Sequence, residues 1–151
     1  MATTDIGICK LNFVTEKTSI DNSILTETKS LHPFLQQLIT ELDNYFEGKS
    51  KSFTVPLDPQ GTEFQKKVWS AVAAIPYGKT CSYLKLSQGL GQPDAIRAVA
   101  NANARNPLLL LIPCHRVIGT NGELTGYAAG LSRKKFLLER EGALHQLSLN
   151  F

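Results

Sequence analysis

The chain sets a thiol, an imidazole and a guanidinium in consecutive positions, Cys114-His115-Arg116, directly after the apolar run Leu108-Leu109-Leu110-Leu111-Ile112-Pro113. A thiol attacks only as a thiolate, so a reactive cysteine needs a neighbour that takes its proton or stabilises the resulting charge, and histidine is the usual one. Consecutive side chains often point apart. The dipeptide alone therefore reads two ways, as a nucleophile beside its base or as a buried structural cysteine next to an unrelated histidine. Cys9 and Cys81 lack such neighbours and read as ordinary core or surface thiols.

Three cysteines at wide spacing, with no C-x-x-C, exclude a disulfide framework and a zinc ribbon. A length of 151 residues with 42% hydrophobic content is enough for a core without staples, in one domain or a domain with a small appendage. No apolar run approaches the ~20 residues of a membrane span, and the first residues, "MATTDIGICK", lack the charged start and apolar core of a signal peptide. Action inside the cell, away from membranes, is the expectation. The formal charge of +3, from 16 basic and 13 acidic residues, is compatible with a polyanionic partner but too mild to argue for one.

Several elements must position the cysteine. Gly7 to Val14 alternates like a strand, and the polar stretch after it, through Ser30, reads as a loop. Leu31, Phe34, Leu35, Leu38, Leu42, Tyr45 and Phe46 recur at helical spacing, with Ser30 as N-cap, Pro33 in the first turn and Gly48 as stop. "KSFTVPLDP" reads as a second strand, held to an edge by Pro56. Pro59-Gln60-Gly61 reads as a linker, which divides the chain into an N-terminal structural domain, 1–58, and a second domain, 62–151.

Beyond the linker, Phe64, Val68, Val72 and Ile75 mark a helix that ends at "IPYG". A helix from Tyr83 to Leu90, a turn at Gly91-Gln92-Pro93 and a second helix from an Asp94 N-cap to Arg105 outline a helix-turn-helix. The second helix carries Ala95, Ala98, Ala100, Ala102 and Ala104. Such small side chains fit tight packing on a neighbouring helix, or a close approach of something else to its backbone. A last helix lies in "LSRKKFLLEREG", capped by Ser132 and closed by Gly142.

The blocks "FQKKVW", "IPYGKTCSY", "AIRAV", "NANARNP", "IPCHRVIG", "GYAAGL" and "FLLEREG", in that order, resemble the O6-alkylguanine-DNA alkyltransferases, the methylated-DNA–protein-cysteine methyltransferases. "LDNYFEGK" resembles that family's N-terminal domain. The resemblance implies an α+β chain. A small N-terminal α/β unit with a reduced antiparallel sheet would precede a mainly helical domain bearing a winged-helix-like helix-turn-helix.

It further implies that Cys114 accepts an alkyl group from guanine O6 in double-stranded DNA, with no cofactor, in a monomer; some members of the family bind zinc in the N-terminal domain, but Cys9 and His32 form no cluster, so no metal is expected. His115 would be the base, acting through a water, with Glu141 orienting it. Tyr83 would supply its hydroxyl to guanine N3, and Asn106 would brace the turn between recognition helix and active site. The base would be rotated out of the duplex from the minor groove, which suits an alanine-rich helix because long side chains would clash there. Arg97 would fill the gap left in the stack. Ala95, Gln92, Thr120, Arg116 and Tyr83 would contact DNA, and Tyr127, Val117, Ala128 and Asn103 the extruded base. An S-alkyl thioether has no leaving group for water to displace, so each molecule would act once.

Some features depart from the family pattern. The chain opens close to what would be the family's second strand, which predicts a trimmed sheet and a less stable N-terminal unit. Ala129-Gly130 stands where a double glycine is common, and predicts a slightly narrower pocket. His145 matches nothing. Three rivals remain at this point. Alkyltransferase-like proteins bind the lesion without removing it but carry tryptophan in place of Cys114; a helix-turn-helix regulator would merely bury Cys114; a cysteine hydrolase would use Cys114, His115 and Glu141 repeatedly.

Overall fold

Two short strands open the chain. Strands β1 (Ala2–Thr3) and β2 (Ile8–Lys10) pair antiparallel, with an irregular register at Ala2/Thr3. The expectation of one strand over Gly7–Val14 at the start of the chain is corrected. The Thr4 N–H donates to Gly7 O at 2.9 Å, and the Thr3 hydroxyl reaches the same carbonyl at 2.9 Å, so a tight turn returns the chain on itself before Ile8. The segment around Pro56 forms no strand either. Ile8 makes one parallel bridge with Leu57, its N–H donating to Pro56 O and its carbonyl accepting from the Asp58 N–H, both at 2.8 Å. A proline that has no N–H to donate ends the ladder there.

The computed structural model describes residues 1–14 and 31–144. The polar segment 15–30, with the N-cap expected at Ser30, and His145 lie outside the described residues. Two compact units result, Met1–Pro59 and Gln60–Phe151. In the first, α1 (Pro33–Phe46) is capped by His32, whose Nδ1 accepts from the Phe34 N–H at 3.3 Å, and Pro33 occupies the first turn where its missing N–H costs nothing. Leu38 and Tyr45 bury the apolar face. The Glu41 carboxylate accepts the N–H groups of Thr54 and Val55, at 2.9 and 3.2 Å, and so ties α1 to the chain that follows it.

In the second unit, α2 (Glu63–Ala73) starts with a reciprocal cap. Thr62 Oγ1 accepts from the Gln65 N–H at 3.2 Å, and Gln65 Oε1 accepts from the Thr62 N–H at 2.9 Å. Strand β3 (Cys81–Ser82) leads straight into α3 (Tyr83–Gly89), capped by Ser82. Gly91, at φ +72°, makes the turn that a side chain would strain. A 3-10 turn, Pro93–Ala95, then runs into α4 (Ile96–Ala104). Asp94 therefore lies inside the 3-10 turn, and Ala95 takes the cap position without a side-chain bond. The helix expected from Asp94 begins two residues later.

Helix α4 packs on both α2 and α3, with Val99, Ala102 and Asn103 buried. The Trp69 indole N–H donates to Ala102 O at 2.8 Å, drawing the last turn of α4 onto α2. The run Leu108–Ile112 is a tight turn rather than a strand. Ile112 N–H donates to Leu108 O at 2.9 Å, and Leu110 sits at φ +77°, a left-handed conformation uncommon outside glycine. A 3-10 turn, Cys114–Arg116, follows, then β4 (Val117–Ile118). Strand β4 pairs parallel with β3, Cys81 with Val117 and Ser82 with Ile118. Helix α5 (Leu131–Arg140) starts from Gly130, so Ser132 lies within the helix rather than capping it. Replacing Thr62 by alanine removes one half of the reciprocal cap and should lower stability by about 1 kcal/mol, measured as a shift in the urea midpoint at unchanged slope; an unchanged midpoint would mean that tertiary packing alone holds the start of α2.

Candidate active site

The turn that carries Cys114, His115 and Arg116 is wholly buried. Cys114 is 3% exposed and His115 0%. Asn106 reaches across from the end of α4. Its Nδ2 donates to Ile112 O at 2.8 Å and to Cys114 Sγ at 3.2 Å, while its Oδ1 accepts from the Leu108 N–H at 2.9 Å. One amide thus closes the leucine turn and supports the sulfur. Burial pushes the Cys114 thiol up, against smaller opposing effects of the Asn106 bond and the Lys134 charge. The resting group is a thiol and needs a base.

His115 has one nitrogen engaged and one without a partner. Nε2 lies 2.9 Å from Glu141 Oε1, and Nδ1, buried, has no protein partner. Burial pushes the Glu141 carboxyl up, but hydrogen bonds from His115 and Arg116 outweigh it and hold the group at about 2. Glu141 is therefore an acceptor, Nε2 carries the proton, and Nδ1 presents a lone pair. Burial lowers the pKa of His115, which keeps the ring neutral.

Arg116 does not face outward, as a DNA contact would require. Its Nε and Nη2 donate to the two Glu141 oxygens at 2.8 and 3.0 Å, its Nη1 donates to Ile75 O at 2.6 Å, and its guanidinium lies 5.8 Å from the centre of the Tyr77 ring. The Gly78 N–H adds a bond to Glu141 Oε2 at 3.2 Å. Gly78 is held at φ +72°, and a Cβ there would come 2.8 Å from Glu141 O. The "IPYG" stretch is thus a socket for the Arg116–Glu141 pair.

Beside this centre lies a cavity of about 570 Å³. Tyr83, Arg97, Thr120, Tyr127 and Ala128 all line it, together with Ile96, Ala100 and Ala104 from α4. Cys114 is not in its wall. Its charge nonetheless reaches both Tyr83 and Tyr127, whose pKa values are raised chiefly by burial and further by Cys114. Asn103 Nδ2 donates to the Tyr83 hydroxyl at 3.4 Å. Asn103 Oδ1 and the Tyr127 hydroxyl are buried without protein partners, an uncommon condition for polar atoms. Gln92, exposed, precedes the 3-10 turn ahead of α4, and Ala95 is its last residue. Val117 faces the core, 0% exposed, rather than the cavity. Among the described residues no group of three or more His, Cys, Asp or Glu side chains could hold a metal ion, and no helix is long and apolar enough to cross a membrane.

Sequence reasoning missed Lys134. It is 0% exposed, and its Nζ donates to the carbonyls of Val117, Thr125 and Gly126 at 2.6, 2.6 and 3.2 Å. Burial lowers its pKa to about 8. It joins β4 to the loop that presents Tyr127. The signal was present in the i, i+3, i+4 spacing of Lys134, Leu137 and Leu138, which puts the lysine on the buried face of α5.

The fold and the site together define a class, a helix-turn-helix protein that buries a thiol, an imidazole and a carboxylate behind its second helix. Residues 63–143 match the DNA binding domain of 6-O-methylguanine DNA methyltransferase, and residues 1–59 match the ribonuclease-like domain of the same proteins. The methylated-DNA–protein-cysteine methyltransferase of Methanosarcina acetivorans is 47% identical over 137 residues, 91% of this chain and 86% of that protein. The Mycobacterium leprae protein of the same name is 50% identical over 105 residues, covering 70% and 64%. A crystal structure of Mycobacterium tuberculosis OGT in complex with DNA aligns with a TM-score of 0.70 at 47% identity, over 72% of this chain and 67% of that one. The chain belongs to the 6-O-methylguanine DNA methyltransferase family.

Lys134→Met should cost about 2 kcal/mol, because the buried Val117 carbonyl loses the lysine donor while the two loop carbonyls can reach water. Urea unfolding measures this, and an unchanged stability would mean that the lysine charge is as costly to bury as its bonds are useful.

Proposed function

We propose that this protein repairs DNA by direct reversal, taking the alkyl group from O6 of guanine onto Cys114 in a reaction each molecule performs once. The observation that carries the reading is the division of labour on His115, the residue after the thiol, with Nε2 bound to Glu141 and Nδ1 left as a buried lone pair. In the reaction, His115 Nδ1 receives the Cys114 proton through a water, and the sulfur attacks the alkyl carbon. An S–C bond forms as the C–O6 bond breaks. Charge leaving on the guanine is stabilised by the Tyr83 hydroxyl donating toward N3. The thioether product gives water nothing to displace.

The cavity suits an extruded base. Tyr127 lies over it, Ala128 gives room at its edge, and Asn103 holds the Tyr83 hydroxyl in place. Arg97, exposed on α4 and lining the cavity, enters the stack where the base was. The alanines of α4 allow that helix to sit in the minor groove, with Gln92, Ala95 and Thr120 near the phosphates. The DNA-binding and transfer chemistry belongs to residues 62–151, and residues 1–58 play a structural part. The protein works as a monomer in the compartment that holds the genome, the cytoplasm of a prokaryote or the nucleus of a eukaryote.

The decisive experiment is intact-protein mass after mixing with a duplex that contains one O6-methylguanine, followed by peptide mapping. The expected result is one added methylene on the peptide with Cys114, saturating at one per protein and lost in Cys114→Ala, which should still bind the DNA. Binding without any mass gain would make the protein a lesion sensor or regulator, and multiple turnovers would make it a hydrolase. Arg97→Ala should slow transfer from duplex DNA at least about tenfold more than from free O6-alkylguanine, since only the duplex requires the base to be held out; equal losses would remove Arg97 from that role.

A further inference from the structure

The Glu141 carboxylate accepts from His115, Arg116 and the Gly78 N–H. His115 Nε2 and Arg116 Nη2 share Oε1, while Arg116 Nε and the Gly78 N–H share Oε2. Neither the Glu141 side chain nor the His115 side chain is exposed at all, and that of Arg116 is 9% exposed. A carboxylate is useful to a histidine base because it fixes the ring and its tautomer. In a buried site it is also a hazard. An unpaired anion at 2.9 Å would stabilise the imidazolium and leave the ring protonated at rest, with no lone pair for the thiol proton.

Arg116 removes that hazard by its geometry. Its planar fork meets both carboxylate oxygens, a match a point cation would not make. The pair is held in register by Ile75 O and by the Tyr77 ring. We propose that Arg116 is a positioning residue for the transfer reaction, neutralising Glu141 so that the carboxylate orients His115 without charging it. The inference rests on the reading of His115 as the base. It gives Arg116 a role in the reaction centre in place of a contact with DNA.

The groups around His115 act together. Cys114 and Arg116 flank it on its own turn, Lys134 and Glu141 face it from α5 and its cap, and the Tyr127 ring meets it edge-on at 6.4 Å between centroids. Burial depresses the histidine first, Glu141 opposes this, and the positive charges of Arg116 and Lys134 reinforce it. His115 must be neutral to accept a proton. The rate therefore falls as pH drops through the histidine value, which lies below the ordinary ~6.5.

The test is the pH profile, from about 5 to 9, of single-turnover methyl transfer to Cys114 from a duplex containing O6-methylguanine, using the full chain. Arg116→Met should move the acid limb up by about one pH unit or more, with the rate recovering at high pH. Arg116→Lys, which keeps the charge but not the fork, should leave the limb within about half a unit of the wild-type position. A lone buried carboxylate can prevent folding of Arg116→Met, so the same step is also made in a Glu141→Gln background. Glu141→Gln alone should lower the limb, and adding Arg116→Met there should raise it by less than about half a pH unit, because the carboxylate charge that Arg116 neutralises is gone. A loss of rate equal at every pH with the limb unmoved by Arg116→Met would leave Arg116 a purely structural residue and overturn the inference, and so would a rise of about one pH unit or more in the Glu141→Gln background, which would mean that Arg116 acts on His115 without the carboxylate. Failure of the wild-type protein to transfer methyl would instead overturn the reading of His115 as base, and this inference with it.

Discussion

A carboxylate cannot be buried alone, and the second unit is organised around meeting that condition at Glu141. Removing an ion from water costs several kcal/mol even after relaxation, so every lone pair of the group must be used. The donors come from distant parts of the chain. His115 and Arg116 arrive from the turn after Pro113, and Gly78 from the turn after α2. Because Glu141 caps α5, satisfying it draws the last helix, the thiol turn and the "IPYG" stretch to one point. The same bonds that make its burial tolerable also fix the imidazole ring. Stability and chemistry are here a single set of contacts.

The recognition side is held by weaker interactions of the same kind. Trp69 takes the Ala102 carbonyl, and the Ser87 hydroxyl bonds to Gln92 O at the turn between the two helices. Each of these bonds replaces an interaction that a longer, regular helix would have made for itself. Helix α4 ends at Ala104, ahead of Pro107, and Asn106 lies outside it, where it reaches both Ile112 O and the sulfur. The path from α4 to the thiol therefore consists of one side chain. A displacement of α4 would be felt at Cys114 through the Asn106 amide.

Much of this was legible in the sequence. The periods of α1, α2 and α5, the glycine turn at Gly91 and the order of the motif blocks all point to the observed elements, because amphipathic spacing and turn residues are local properties. Helix starts were less legible. Asp94 and Ser132 look like caps by residue type, yet the chain places a 3-10 turn at the first and begins α5 one residue before the second. Strands of two residues, such as β3 and β4, carry no period to detect. The leucine run reads only as an apolar segment, because composition reports burial and not the left-handed φ of Leu110.

Charged residues were the hardest to place, for a physical reason. Surface position is the default for arginine and lysine, and only their partners reverse it. Those partners are backbone carbonyls for Lys134 and a carboxylate 25 residues away for Arg116, neither of which has a sequence signature. The consequence reaches beyond assignment. The second unit spends two cations on its interior, so a count of its basic residues overstates the positive charge that its surface can offer to a polyanion. What remains outside, Arg97 on α4 among it, acts less as a field over the whole surface than by where each side chain stands along the cavity rim.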